Sequence, residues 1–232
     1  EAVVLHRQPG LVERLARLSI ERDHSDLALG RTLFQLMTPL EFKDTARQMD
    51  RLVLVVDAFT ANFPWELMVA DEEPLIRKTA VVRQFESLTW RQRVRPAMQM
   101  SAYVVGDPST RDFEKHFKGY AKMPELPGAM DEADLVSKAL RQGGFQVEEA
   151  IGQSTDGIDV IHKLFQRPYR VVHIAAHGMF EVRPDGGGPE TARTGVVLSD
   201  GLFLTAAELR QMEQVPDLVF LNCCHLGEMD AG

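Results

Sequence analysis

The sequence predicts an α/β sandwich around a mostly parallel sheet, and two observations carry that prediction. The stretches 169–178 (YRVVHIAAHG) and 216–227 (PDLVFLNCCHLG) open as short, continuous apolar runs rich in β-branched residues. Such runs are the mark of strands buried on both faces, as inside a parallel sheet. Strand-like runs also alternate with helical stretches of roughly 10–15 residues, the rhythm of βαβ units.

In the N-terminal part, Leu11, Leu15 and Leu18 fall at helical spacing and predict an amphipathic helix with Arg14, Arg17 and Arg22 in solvent. Residues 29–37 and 40–50 read as two more helical stretches. Residues 52–56 (LVLVV) read as a buried strand ending at Asp57. In FPWEL, residues 63–67, Pro64 stops the sheet, Trp65 is a large anchor, and Glu66 is expected to be a structural hydrogen-bond or ion-pair partner. Residues 80–85 predict another strand. The stretch 91–96 (RQRVRP), charged and closed by proline, is the natural internal boundary. The expected division is a smaller unit over residues 1–95 and a larger one over 96–232.

In the second part, residues 101–105 predict a strand that runs into a turn at Gly106, Asp107 and Pro108. Residues 112–125 are polar and read as loop or short helix. Leu126, Pro127 and Gly128 open a helix through Arg141, with Leu135, Ala139 and Leu140 inward and Gly143 and Gly144 closing it. A strand over 145–149 and a helix over 157–166 follow, the helix carrying Ile158, Ile161, Leu164 and Phe165. Next comes the strand that ends at His177. Residues 181–195 form a long glycine- and proline-rich loop, a length that is uncommon unless functional or disordered. Residues 195–198 and 202–204 flank Ser199, Asp200 and Gly201 as a hairpin. Thr205 and Glu208 make a capping box for a short helix that leads to the last strand.

The bulk properties narrow the function. An apolar content of 44% and a charged content of 26% are those of an ordinary globular protein. The net charge of −8 argues against nucleic acid as a partner. No apolar stretch approaches the ~20 residues needed to span a bilayer. The N-terminus EAVVLHRQPG has neither an initiator Met nor a signal-peptide layout and reads as the interior of a longer protein. The two cysteines, Cys223 and Cys224, are adjacent, and a vicinal disulfide would be strained, so a reducing, cytoplasmic setting is expected. No metal site and no cofactor are expected, and no phosphate-binding GxxxxGK[ST] stretch occurs.

Parallel sheets present their functional groups at the carboxyl ends of the strands. One predicted strand delivers His177 to that edge and another delivers Cys224, 224 − 177 = 47 residues later. A thiol and an imidazole are the minimum equipment for nucleophilic acyl transfer, and a spacing of about fifty residues is known among cysteine peptidases. Either residue alone reads more simply as packing; the pair at matching strand ends reads as a dyad. The N–H groups of Gly178 and Cys224 are candidates for an oxyanion hole. Cys223 alternates to the opposite face and reads as core. His173, mid-strand, reads as buried and structural, and His225 as exposed.

The segments FPWEL, VVGDP, LPGAMDEADLV, HIAAHG, VVLSDGLFLTAAELRQ and LNCCHLG, taken together and in this order along the chain, resemble the CHAT-domain family. These are caspase-like cysteine peptidases related to caspases, metacaspases and separases. The resemblance runs from about Gly30 onward. It implies a caspase-like α/β/α sandwich preceded by a smaller, degenerate caspase-like N-terminal half. By motif match it implies His177 as catalytic histidine and Cys224 as nucleophile, with no cofactor. In metacaspases one acid after the first strand and another two residues before the nucleophile line a pocket for a basic P1 side chain. Asp107 matches the first, which reads equally well as a turn residue, and Asn222 stands at the second. The implied function is a cytoplasmic, bacterial-type endopeptidase acting on protein or peptide substrates. Regulation by attached domains or an activator protein is expected. Family members continue past the nucleophile, so a second chain completing the fold, or a chain cut short, is also expected. The alternative is an inactive scaffold for protein–protein interaction.

Overall fold

The structure is a computed structural model that describes residues 8–21, 27–57, 59–86 and 94–224. The described residues fall into two compact units, one within residues 1–90 and one within 91–228. The stretch 91–96 lies partly outside the described residues, and His225 lies wholly outside them.

The first unit contains α1 (Pro9–Glu21), α2 (Leu27–Met37), α3 (Lys43–Gln48), β1 (Arg51–Val56) and β2 (Ala80–Phe85). The two strands pair in parallel, with Val53 opposite Val82. The inward side of α1 is Val12, Leu15, Ala16 and Ser19, not the Leu11 stripe expected from the leucines; Leu11 is exposed. Small residues decide that side, and Ser19 satisfies its buried hydroxyl by donating to the Leu15 carbonyl at 2.9 Å. The LVLVV strand is not buried on both faces: Val56 is buried, while Val53 and Val55 are exposed. Among the described residues β2 is its one ladder partner, so the apolar run has a covered and an uncovered side. Trp65 anchors as expected, its indole N–H donating to the Thr60 carbonyl at 2.7 Å. Glu66 pairs with the Arg83 guanidinium.

The second unit is built on β3 (Ser101–Gly106), α4 (Phe113–His116), α5 (Pro127–Gln142), β4 (Gln146–Ile151), α6 (Gly157–Gln166), β5 (Val171–Ala176), β6 (Gly178–Val182), β7 (Arg193–Val197), β8 (Phe203–Thr205), α7 (Ala206–Leu209) and β9 (Leu218–Cys223). Strands β4, β3, β5 and β9 lie side by side in that order, and every pair is parallel. A second sheet, β6-β7-β8, is antiparallel. Strand alternation gives the main sheet two faces. On one, Tyr103, Val105, Val172, Ile174 and Ala176 pack with Val160 and Leu164 of α6 and with Val196, Leu198 and Leu204 of the hairpin region. Tyr103 stacks on Tyr169 with centroids 5.2 Å apart and donates its hydroxyl to the Val160 carbonyl at 3.0 Å. On the other face lies α5, so close that a Cβ on Gly106 would sit 2.4 Å from the Ala133 Cβ. Helix, parallel sheet and helix make the three layers of a caspase-like α/β/α fold.

Several expectations change. On α5 the buried residues are Ala133 and Ser137; Leu135 and Ala139 are exposed and only Leu140 of the expected set is half-buried. Close approach at Gly106 selects small side chains for the facing stripe, which rotates Leu135 outward. On α6, Leu164 is buried and Ile161 packs on the core, but Ile158 and Phe165 are exposed. The loop expected over 181–195 is shorter, because β6 and the start of β7 take up its two ends in an antiparallel pair. The last strand is apolar without being enclosed: Leu218, Val219, Phe220 and Leu221 are all exposed, since β9 is the outer strand among the described residues. The capping box at Thr205 and Glu208 forms as read. No helix among the described residues is long and apolar enough to cross a membrane.

Candidate functional site

The β5–β9 ladder pairs Ala175 with Asn222 and Ala176 with Cys223. Paired strands run about 4.8 Å apart, and His177 and Cys224 are the next residues of β5 and β9 beyond the end of this ladder. The β3–β5 ladder pairs Gly106 with Ala175, so Asp107 stands opposite Ala176 at the same edge. Three of the residues singled out in the sequence thus leave neighbouring strands at one end of the sheet.

His177 is half-buried, and its Nε2 lies 2.7 Å from the Pro124 carbonyl oxygen. A carbonyl can only accept, so Nε2 carries the proton and the neutral ring keeps its lone pair on Nδ1. That contact fixes both ring orientation and tautomer. Cys224 is exposed. Cys223 packs against the core, its Sγ 3.9 Å from the Ile174 carbonyl, and burial pushes its thiol up to about 11. The two neighbouring thiols therefore differ in access. At Gly178, the Val197 N–H donates to the His177 carbonyl at 2.9 Å. This makes Gly178 and Val196 a non-hydrogen-bonded pair, so the Gly178 N–H points away from β7.

Asp107 is fully buried and adopts a left-handed backbone, φ 45°. For an aspartate that geometry costs on the order of 1 kcal/mol and persists only where surroundings hold it. Its Oδ2 accepts from the Leu126 N–H at 2.9 Å, just before α5, while Oδ1 has no partner. Asn222 is exposed, and its Nδ2 donates to Glu132 Oε2 at 2.6 Å. The other Glu132 oxygen, Oε1, lies 3.1 Å from Nε2 of His173. His173 is buried and stacked on Phe220 at 5.0 Å, and desolvation lowers its pKa against the opposing pull of Glu132.

Sequence reading missed Glu132 and the Pro124 carbonyl. Pro124 acts through a backbone atom, which no side-chain pattern reveals. Glu132 looks like one more polar residue of an amphipathic helix, and only the packing of α5 across β5 carries it to β9. Among the described residues, no three His, Cys, Asp or Glu side chains come together as a metal site.

The family model described as CHAT domain matches residues 27–231. No curated protein sequence matches the chain.

Proposed function

Because the chain belongs to the CHAT domain family, a caspase-like, peptidase-related family, we propose that it is a cysteine endopeptidase with Cys224 as nucleophile and His177 as base. The observation that supports this reading is the parallel ladder that ends with Ala176 opposite Cys223, one residue before His177 and Cys224 in the two strands. With Nε2 engaged by Pro124, Nδ1 of His177 takes the thiol proton. The thiolate attacks the scissile carbonyl carbon, and the developing oxyanion is met by the N–H groups of Gly178 and Cys224. The imidazolium returns the proton to the leaving amine as the C–N bond breaks, leaving a thioester. Water, deprotonated by the same imidazole, hydrolyses the thioester and frees the thiol.

Asp107 and Asn222 are the proposed P1 contacts, and a buried carboxylate with one unpartnered oxygen favours a cationic P1 side chain. Regulation by attached domains or an activator protein is part of the same proposal. Cleavage of a peptide library with varied P1 residues tests it. Wild type is expected to cut after Arg or Lys, and Cys224→Ala and His177→Ala to cut nothing. Asp107→Ala should slow basic-P1 cleavage well over tenfold, since losing one partner of a buried charge pair costs ~2–5 kcal/mol. Full activity in Cys224→Ala, or a wild-type preference for acidic P1, would refute the respective part. A properly folded wild type that cuts no peptide would favour the inactive scaffold.

A further inference from the structure

Glu132 is an unusual carboxylate in this molecule. Among the described residues, the other carboxylates in ion pairs face Lys or Arg, whereas Glu132 faces only His173. Its side chain is 30% exposed, so it reaches the surface beside Asn222, two residues before Cys224. A carboxylate only accepts hydrogen bonds, so the Asn222 amide must turn its NH2 toward Glu132. The amide oxygen is thereby aimed away from Glu132, and among the described residues no donor reaches it. A flipped amide would set its oxygen against the carboxylate, and the structure offers nothing to offset that repulsion.

We infer that Glu132 is a specificity-determining residue acting through Asn222: it pins the amide so that Asn222 offers the substrate an acceptor and never a donor. The deduction deepens the proposed P1 subsite and rests on that reading. An asparagine free to flip would accept from a cationic side chain and donate to a carbonyl or carboxylate equally well, and so would discriminate poorly. Pinned, it selects side chains rich in donors, as arginine and lysine are. The buried Asp107, with its unpartnered Oδ1, points to the same ligand chemistry from the end of β3, on the other side of β5.

The test is a double-mutant cycle read as a ratio. Rates of covalent labelling are measured with two peptidyl acyloxymethyl ketones that differ only in carrying Arg or Gln at P1. Wild type is expected to prefer the Arg probe. Glu132→Gln, which can face either end of the amide, should cut that preference about tenfold, the scale of one charge-assisted hydrogen bond. Asn222→Ala should cut it similarly, and adding Glu132→Gln to Asn222→Ala should change the ratio no further. That last result separates action through Asn222 from a general effect on the fold. If Glu132→Gln does not fold, Glu132→Asp, which withdraws the carboxylate by one methylene, should move the ratio in the same direction. A wild type that prefers Arg while Glu132→Gln leaves the ratio unchanged overturns the inference and spares the P1 reading. So does a Glu132→Gln effect that persists in full without Asn222. A wild type indifferent to P1 overturns both, and a wild type labelled by neither probe overturns the peptidase reading beneath them.

Discussion

Burial sets the Cys223 thiol near 11, far enough above neutral pH that it stays protonated and poorly nucleophilic. Its neighbour is exposed, so two adjacent cysteines should behave as different reagents. Iodoacetamide at pH 8 is expected to modify Cys224 and leave Cys223 intact in the folded protein. The Cys223 rate should rise only as pH approaches about 11, and equal modification at pH 8 would mean the strand register is wrong. His173 gives a second residue-scale expectation. Its pKa is lowered, chiefly by desolvation, with Glu132 on α5 as the opposing charge and Phe220 on β9 as the stacked face. A neutral buried histidine leaves the unfolded chain as the better proton acceptor. Stability should be full above the ordinary histidine value of 6.5 and fall as pH drops from there toward the depressed folded value. Urea midpoints measured between pH 8 and pH 5 check this, and His173→Gln should lose that share of the pH dependence.

Close contact between α5 and β3 decides much at the element scale. Gly106 leaves no room for a methyl group, with the Ala133 Cβ at 2.4 Å and the Ala129 carbonyl oxygen at 3.0 Å from its ideal position. Gly106→Ala is expected to push the helix off the strand and cost roughly 1–3 kcal/mol, the range for overpacking, read as a lower urea midpoint. Because α5 carries Glu132, the same change should loosen the Asn222 contact. Apart from β6, the strands themselves were legible from apolar runs and turn residues, and so were the capping box and the core position of Cys223. Their surroundings were not. An apolar run reports the residues of a strand and not its neighbours, so β1 and β9 read as enclosed when each has exposed apolar side chains. Helix faces failed for a related reason: Leu11 on α1, Leu135 on α5 and Ile158 and Phe165 on α6 are large apolar residues that lie outward, while Ala16, Ala133 and Val160 do the packing. The β6 strand was hidden because it follows the His177 strand directly and its pairing with β7 depends on residues across the glycine-rich stretch.

Across the molecule, the candidate site was legible because parallel strands entering a sheet in step deliver their C-terminal residues to one edge. His177, Cys224 and Asp107 could therefore be placed from strand ends alone. Contacts that cross layers could not, which is why Glu132 and the Pro124 carbonyl emerge only from the fold. The central claim is that Cys224 attacks with His177 as its base. Reaction with a peptidyl acyloxymethyl ketone carrying Arg at P1, followed by digestion and mass spectrometry, locates the adduct. It should lie on Cys224, vanish in Cys224→Ala and form far more slowly in His177→Ala. An adduct on Cys223, or Cys224 labelled just as fast without His177, would contradict the account.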